Sequence, residues 1–310
     1  MSAPLFDRVA IIGIGLIGSS LARALRQLSP QTRIVACAKT DKTLAAVRRL
    51  GIADEAAGDP AEAVRGADLV VLATPLSAYV EIGRRIAPVL APGTILTDVG
   101  SVKEAVVRDL APLLPPGVEF VPGHPVAGTE HSGPEAGFAE LFRDRRCILI
   151  PLEETAPAAI EKVAHMWRAC GMRVTQMDAA RHDRVLAMTS HLPHLIAYTI
   201  VGTATDLEDS LKSQVIEFSA GGFRDFTRIA ASDPVMWRDI FLNNREAVLE
   251  ILQRFSEDLT ALQRAIRWGE GEVLFDRFTK TRAVRRSVIE AKQADPEFLK
   301  ISPSPRASNP

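Results

Sequence analysis

The chain has 310 residues, with 37 Lys and Arg against 38 Asp and Glu, a formal net charge of -1 and 47% hydrophobic residues. Its length predicts two domains and its apolar share supports packed cores. The balanced charge excludes the broad basic field that binding to nucleic acid or an anionic membrane requires. Cys37, Cys147 and Cys170 are odd in number, far apart and set in apolar runs, which reads as buried thiols in a reducing compartment rather than disulfides or metal ligands. Residues 1–7 form a short leader without signal-peptide character, and no apolar run is long enough to span a bilayer, so a cytoplasmic location is expected.

Up to residue 178, short β-branched runs alternate with helical patterns, as in a parallel sheet wound with crossover helices. The predicted strands cover 8–13, 33–38, 69–73, 94–99, 119–122, 147–150 and 173–176. Helices are predicted over 19–28, 43–50, 80–90, 103–114 and 156–170. Beyond 178 only helical spacing persists, for example Ala247, Leu249, Ile251, Leu252, Phe255, Leu259 and Leu262. The expected organisation is therefore a nucleotide-binding domain over 1–178, an all-helical substrate and dimerisation domain over 179–291, and a tail over 292–310 that is disordered by composition. Helices this apolar predict a homodimer formed through the helical half.

Gly13-Ile14-Gly15-Leu16-Ile17-Gly18 follows Val9-Ala10-Ile11-Ile12 and opens a helix. The first glycine permits the tight turn, the second lets a pyrophosphate approach the backbone and the third lets helix and strand pack closely, which predicts a Rossmann-type dinucleotide site using Gly13, Gly15, Leu16, Ile17 and Gly18. The second strand ends Ala36-Cys37-Ala38 without the carboxylate that binds an NAD ribose, and Lys39 and Thr40 follow it. That pattern tilts the cofactor toward NADP over NAD. Thr74 and Pro75, after the third strand, and Asp98, at the end of the fourth, are placed to line the nicotinamide half. Ser101 caps the following helix, contacts ligand, or does both.

The segment Gly123-His124-Pro125-Val126-Ala127-Gly128-Thr129-Glu130-His131-Ser132-Gly133 is too rich in glycine and proline for a helix and reads as a functional loop. A histidine at that sheet edge suits removal of a carbinol proton while hydride leaves the same carbon. Ser190-His191-Leu192-Pro193-His194 turns both histidines to the cleft only if the proline bends the helix. Arginines near Gly221 to Arg228 and Asp233 to Asp239 suit bidentate carboxylate binding.

Together these segments, Gly13 to Gly18, Asp98 to Lys103, Gly123 to Gly133, His191 to His194, Gly221 to Arg228 and Asp233 to Asp239, resemble in order the prephenate and arogenate (cyclohexadienyl) dehydrogenases of tyrosine biosynthesis. The resemblance implies an N-terminal Rossmann-type doubly wound parallel sheet followed by an all-α dimerisation domain, a layout like that of 6-phosphogluconate dehydrogenase. It implies oxidative decarboxylation of prephenate or arogenate to 4-hydroxyphenylpyruvate or tyrosine, with hydride passing to NAD(P)+ and no metal involved. By the same resemblance His124 accepts the ring-hydroxyl proton, Ser101 shares that hydroxyl, and Thr129, Glu130, His191, His194, Arg228 and Trp237 form the substrate side. With no chorismate mutase segment and no room for a regulatory domain, any inhibition by tyrosine is expected at the active site. Glu130 or Asp225 would serve the ammonium of arogenate. The rival readings are another two-domain NAD(P)-dependent dehydrogenase or imine reductase, which usually relies on a lysine in the helical domain, and a noncatalytic NAD(P)-sensing regulator, which needs no His124.

Overall fold

The computed structural model describes residues 4–206 and 221–290, without the side chains of 288–290. The tail expected over 292–310 and the helical pattern over 207–220 lie outside the described residues. The chain divides into two compact units, Met1–Ile251 and Leu252–Pro310.

In the first unit, strands β1 (Arg8–Ile12), β2 (Arg33–Cys37), β3 (Glu55–Ala57), β4 (Leu69–Leu72), β5 (Ile95–Asp98) and β6 (Glu119–Val121) form one parallel sheet in the order β3-β2-β1-β4-β5-β6. This is the order of a dinucleotide-binding sheet, with its switch point between β1 and β4. Because successive side chains alternate faces, the register splits the core in two. Val9, Ile11, Ile34, Leu69 and Val71 pack with Leu21, Leu25 and Trp167 of α1 (Leu16–Leu28) and α6 (Pro157–Ala169). Ala10, Ile12, Val35, Val70 and Leu72 pack with Tyr79, Ile86, Val106 and Leu110 of α4 (Tyr79–Ile86) and α5 (Glu104–Leu110). Helices α2 (Asp41–Leu50) and α3 (Pro60–Ala63) complete the crossovers.

Two strands were not expected. β3 is three residues long with two alanines, so it carries no β-branched signal. β7 (Gly123–Val126) occupies the first part of the predicted functional loop and pairs antiparallel with β8 (Arg146–Leu149), which pairs in parallel with β9 (Arg173–Gln176). Pro125 is tolerated because β7 is the edge of this separate three-stranded sheet. His124 is thus a strand residue, and the loop proper begins at Ala127.

The described residues from 179 to 290 are helical or connecting, as the periodicity predicts. Helix α7 (Ala179–Leu186) runs through a π-turn (Ala187–His191) into α8 (Leu192–Thr205). After α9 (Gly221–Thr227) come α10 (Pro234–Asn243), α11 (Arg245–Trp268) and α12 (Gly271–Glu290). The first unit takes in α7 to α10, because α7 and α10 are bonded to the Rossmann half: Asp183 accepts from the Lys103 amide and Asp239 from the Ser77 amide. The run Ala179–Thr205 reaches a mean hydropathy of 1.2 and is long and apolar enough to cross a membrane by length and composition alone. That corrects the expectation that no such run exists. The same run carries the buried polar residues His182, Asp183 and His191. Within the second unit, Arg277 pairs with Asp258 at 2.6 Å, while Ile266, Trp268, Phe275 and Phe278 are exposed.

Candidate active site

At the β1–α1 turn the three glycines have separate physical tasks. Gly13 has φ +99°, and a Cβ there would lie 2.5 Å from the Ala73 carbonyl oxygen, while a Cβ on Gly18 would collide with the Gly13 carbonyl. Gly15 faces open space, the cradle a pyrophosphate requires. It also starts α1 with no side-chain cap and no acid in the first turn, so amide N–H groups and the positive end of the helix dipole remain for phosphate. Leu16 and Ile17 pack against the core beneath. Thr74 sits against Gly13 with its Oγ1 buried and unpartnered, a polar atom waiting for a ligand, and Pro75 follows at the surface. These features fit a dinucleotide. At the tip of β2, Ala38 is buried, Lys39 and Thr40 are exposed, and Thr40 Oγ1 accepts the Thr43 amide to cap α2.

Asp98, at the end of β5, is fully buried. Both of its carboxylate oxygens are occupied: Oδ2 accepts from Tyr79, the Gly100 amide and Lys103, and Oδ1 accepts the Gly123 amide at 3.0 Å. Lys103 also donates to the Gly123 carbonyl at 2.7 Å. Such an ion pair is tolerated in the interior when further hydrogen bonds support it, here from Tyr79 and the Gly100 and Gly123 amides to the carboxylate and from the ammonium to the Gly123 carbonyl. Its effect is to fix β7, and hence His124, against the end of β5. Ser101 does not cap α5. That task belongs to Asp183, which accepts from the amides of Lys103 (2.8 Å) and Glu104 (2.9 Å).

His124 is buried, with Nδ1 2.8 Å from His182 Nε2, and His182 Nδ1 is in turn 2.7 Å from Asp183 Oδ1. Burial first, then the charges of His182, Lys103 and His191, hold the His124 imidazole well below the ordinary histidine range. His191 is fully buried, and desolvation lowers it to about 4. Asn244 Nδ2 donates to the Asp183 carbonyl at 2.9 Å and meets His191 Nδ1 at 3.0 Å. His191 Nε2 is thereby left buried and unpartnered. A π-turn over Ala187–His191 precedes Pro193, which stands in the first turn of α8.

His194 is half-buried and stacks on the indole of Trp237 at 3.6 Å between ring centroids. Trp237 itself is buried with Val102, Ala105 and Ile240 and forms the floor beneath His194. Burial, and then the charge of Arg228, lower the His194 pKa. Arg228 is exposed and bonds Glu130 Oε2 at 3.0 Å. Asp225, the other carboxylate considered for an ammonium, lies 3.5 Å from Arg224. Thr129 is exposed in the loop, and its Oγ1 accepts the His131 amide.

Sequence reasoning missed His182, Asp183, Lys103, Tyr79 and Asn244. The adjacent pair His182-Asp183 stands between Arg181 and Arg184, and nothing in that local pattern signals burial. Among the described residues, no cluster of three or more His, Cys, Asp or Glu is placed to hold a metal ion.

Comparison with known proteins settles the family. Residues 21–176 match the nucleotide-binding domain of prephenate dehydrogenase and residues 178–280 its dimerization domain. The chain belongs to the prephenate dehydrogenase family. Within this family it is 42% identical over 280 residues to a cyclohexadienyl dehydrogenase of Zymomonas mobilis, covering 90% of this chain and 95% of that one. It is 33% identical to a prephenate dehydrogenase of Bacillus subtilis, covering 95% and 80%. The crystal structure of the prephenate dehydrogenase from A. aeolicus with hydroxyphenyl propionate and NAD+ superposes with a TM-score of 0.84 at 32% identity, covering 93% of this chain and 99% of that one. The prephenate dehydrogenase family fold is thus the doubly wound sheet and helical region described above.

Proposed function

We propose that this dehydrogenase oxidatively decarboxylates both prephenate and arogenate, giving 4-hydroxyphenylpyruvate and tyrosine. The observation that carries the reading is His124: a buried imidazole held at Nδ1 by His182, on a strand fixed by Asp98 and Lys103, with Nε2 left for a substrate hydroxyl. Its lowered pKa keeps the ring neutral, as a proton acceptor must be. Ser101 shares the hydroxyl. Arg228 and His194 take the substrate carboxylates, aided by Thr129, Glu130 and His191. A bound NAD(P)+ would supply the hydride acceptor, its pyrophosphate held by the Gly13–Gly18 turn and its remaining part reached by Thr74, and departure of carbon dioxide with aromatisation would make the reaction irreversible. No step requires a metal.

Lys39 and the absence of a carboxylate at Ala38 support use of NADP, alone or beside NAD. The change from alternating strands to helices at residue 178 supports a Rossmann domain over 1–178 and a substrate and dimerisation domain over 179–291. The exposed apolar residues of the second unit support a homodimer formed through that helical domain in the cytoplasm. Inhibition by tyrosine, a product lacking the ring carboxylate, would act at the active site. Initial rates of nicotinamide reduction with prephenate and arogenate, each with NAD+ and NADP+, test the reading. Turnover of both substrates is expected, and turnover of neither would overturn it.

A further inference from the structure

Three buried side chains lie in line behind the substrate face: His124 on β7, then His182 and Asp183 on α7. The spacings are 2.8 Å from His124 Nδ1 to His182 Nε2 and 2.7 Å from His182 Nδ1 to Asp183 Oδ1. Asp183 is 1% exposed and already accepts two backbone amides, so it is an acceptor and not a source of protons. The His182 nitrogen facing it must therefore carry hydrogen, because a bare nitrogen at 2.7 Å would set lone pair against lone pair. With Nδ1 protonated, neutral His182 has a bare Nε2, and the only hydrogen available for the contact with His124 is on His124 Nδ1. The bare nitrogen of neutral His124 is then Nε2, which no side chain among the described residues engages. A carboxylate two residues removed from the chemistry thus determines which nitrogen of His124 is basic.

We propose that His182 and Asp183 are a proton relay behind His124, fixing its tautomer in the resting enzyme and taking the positive charge during turnover. The proposal rests on the reading of His124 as base. When the substrate O–H bond breaks, the proton bonds to His124 Nε2. The His124 Nδ1–H bond then breaks as a new N–H bond forms at His182 Nε2. His124 finishes neutral, and the cation rests on His182 beside the Asp183 carboxylate. After product leaves, the proton returns to solvent by the reverse path. The surroundings favour this seat for the charge. His124 is faced by the cationic Lys103 at the start of α5, by His182 on α7 and by His191 on the π-turn, and burial and these three side chains are what shift it. His182 is faced by Lys103 too, but by the carboxylates of Asp183 and Asp98 as well. His182 and Asp183 position and relay; His124 alone meets substrate.

Nitrogen-15 NMR of histidine-labelled full-length protein at neutral pH reads the tautomers directly. His124 and His182 are both expected as Nδ1–H, Nε2-bare rings, assigned by the signals lost in His124→Asn and His182→Gln. A His124 protonated at Nε2 would overturn the proposal. In His182→Gln the amide oxygen still accepts from His124 Nδ1 but takes no proton. Its turnover should fall about 10- to 100-fold, a part of the usual benefit of acid–base catalysis, with substrate KM within about 2-fold and the acid limb of the pH profile moved to lower pH. Turnover within about 2-fold of the parent and an unmoved acid limb would refute the relay. Should the variant not fold, the spectrum of the parent protein decides alone, its signals then assigned from His124→Asn and from neighbouring rings. The spectrum does not depend on which substrate is used, so an enzyme inactive on cyclohexadienyl substrates would overturn the functional proposal without touching this test.

Discussion

His194 lies almost flat on Trp237, with ring centroids 3.6 Å apart and planes 23° from parallel, so the imidazole on α8 takes its attitude from an indole on α10. Face-to-face aromatic contacts of this kind contribute about 0.5–1.5 kcal/mol beyond burial. Trp237→Phe keeps an apolar floor but narrows the surface under the imidazole. Substrate KM is expected to rise about 2- to 10-fold, the equivalent of that energy, with cofactor KM unchanged. Steady-state kinetics with each ligand varied in turn checks it, and an equal rise in both constants would mean that the floor supports the whole cleft.

Arg228 has half its side chain exposed and is paired with a partly exposed Glu130, so the pair adds little to stability. On the proposed function its charge meets a substrate carboxylate, a contact on the order of 1.5–3 kcal/mol. For Arg228→Ala, substrate KM should rise about 10- to 150-fold while the urea midpoint stays near that of the parent. A fall in midpoint matching the kinetic loss would assign Arg228 to folding.

His124 must be neutral to accept a proton, and burial lowers its pKa. The sequence alone suggested a rate that rises with pH through a value near the ordinary 6.5 of histidine; the buried position moves that limb below about 6.5. His124→Asn should lower turnover by about 10²–10⁴-fold with cofactor affinity retained. Near-normal turnover and an unchanged pH profile in this variant would transfer the base to His194 or water.

Ala38 ends β2 without a carboxylate, and Lys39 stands exposed beside it. Ala38→Asp should place a negative charge where a 2′-phosphate would sit and raise KM for NADP+ well above that for NAD+. Binding isotherms for the two cofactors test this, and an unaltered preference would remove Lys39 and Ala38 from the cofactor assignment.

Four histidines near the cleft, His124, His182, His191 and His194, have lowered pKa values, each with burial as the first cause. In the unfolded chain they bind protons near pH 6.5, whereas in the folded chain they bind them at lower pH, so the stabilisation is full above about 6.5 and is lost as pH falls toward the folded values. For His191, which falls to about 4, the loss amounts to on the order of 3 kcal/mol across that window. Urea unfolding at steps between about pH 7 and about pH 4.5 should show a falling midpoint, and His191→Asn should flatten the slope. A midpoint independent of pH would place these rings in contact with water.

The chain order of apolar strands and amphipathic helices was sufficient to determine the doubly wound half, because strands buried on both faces read as unbroken β-branched runs and glycine spacing marks the phosphate turn. It was likewise sufficient to bring His124, His191, His194 and Arg228 forward as candidates, since each stands in a punctuated segment. What it did not contain was the depth of each residue. Asp98 is buried with Tyr79 and Lys103; Trp237 is the floor of His194; Ser101 was read as a cap, a ligand contact or both, and the cap is Asp183, eighty residues from the amide it serves. The partnership of His124 with His182 joins a strand to a helix across 58 positions. Local pattern encodes which face of an element is apolar, but only the packing of α7 on α5 and β7 decides which polar groups meet inside, and therefore which nitrogen of His124 is free to take a proton.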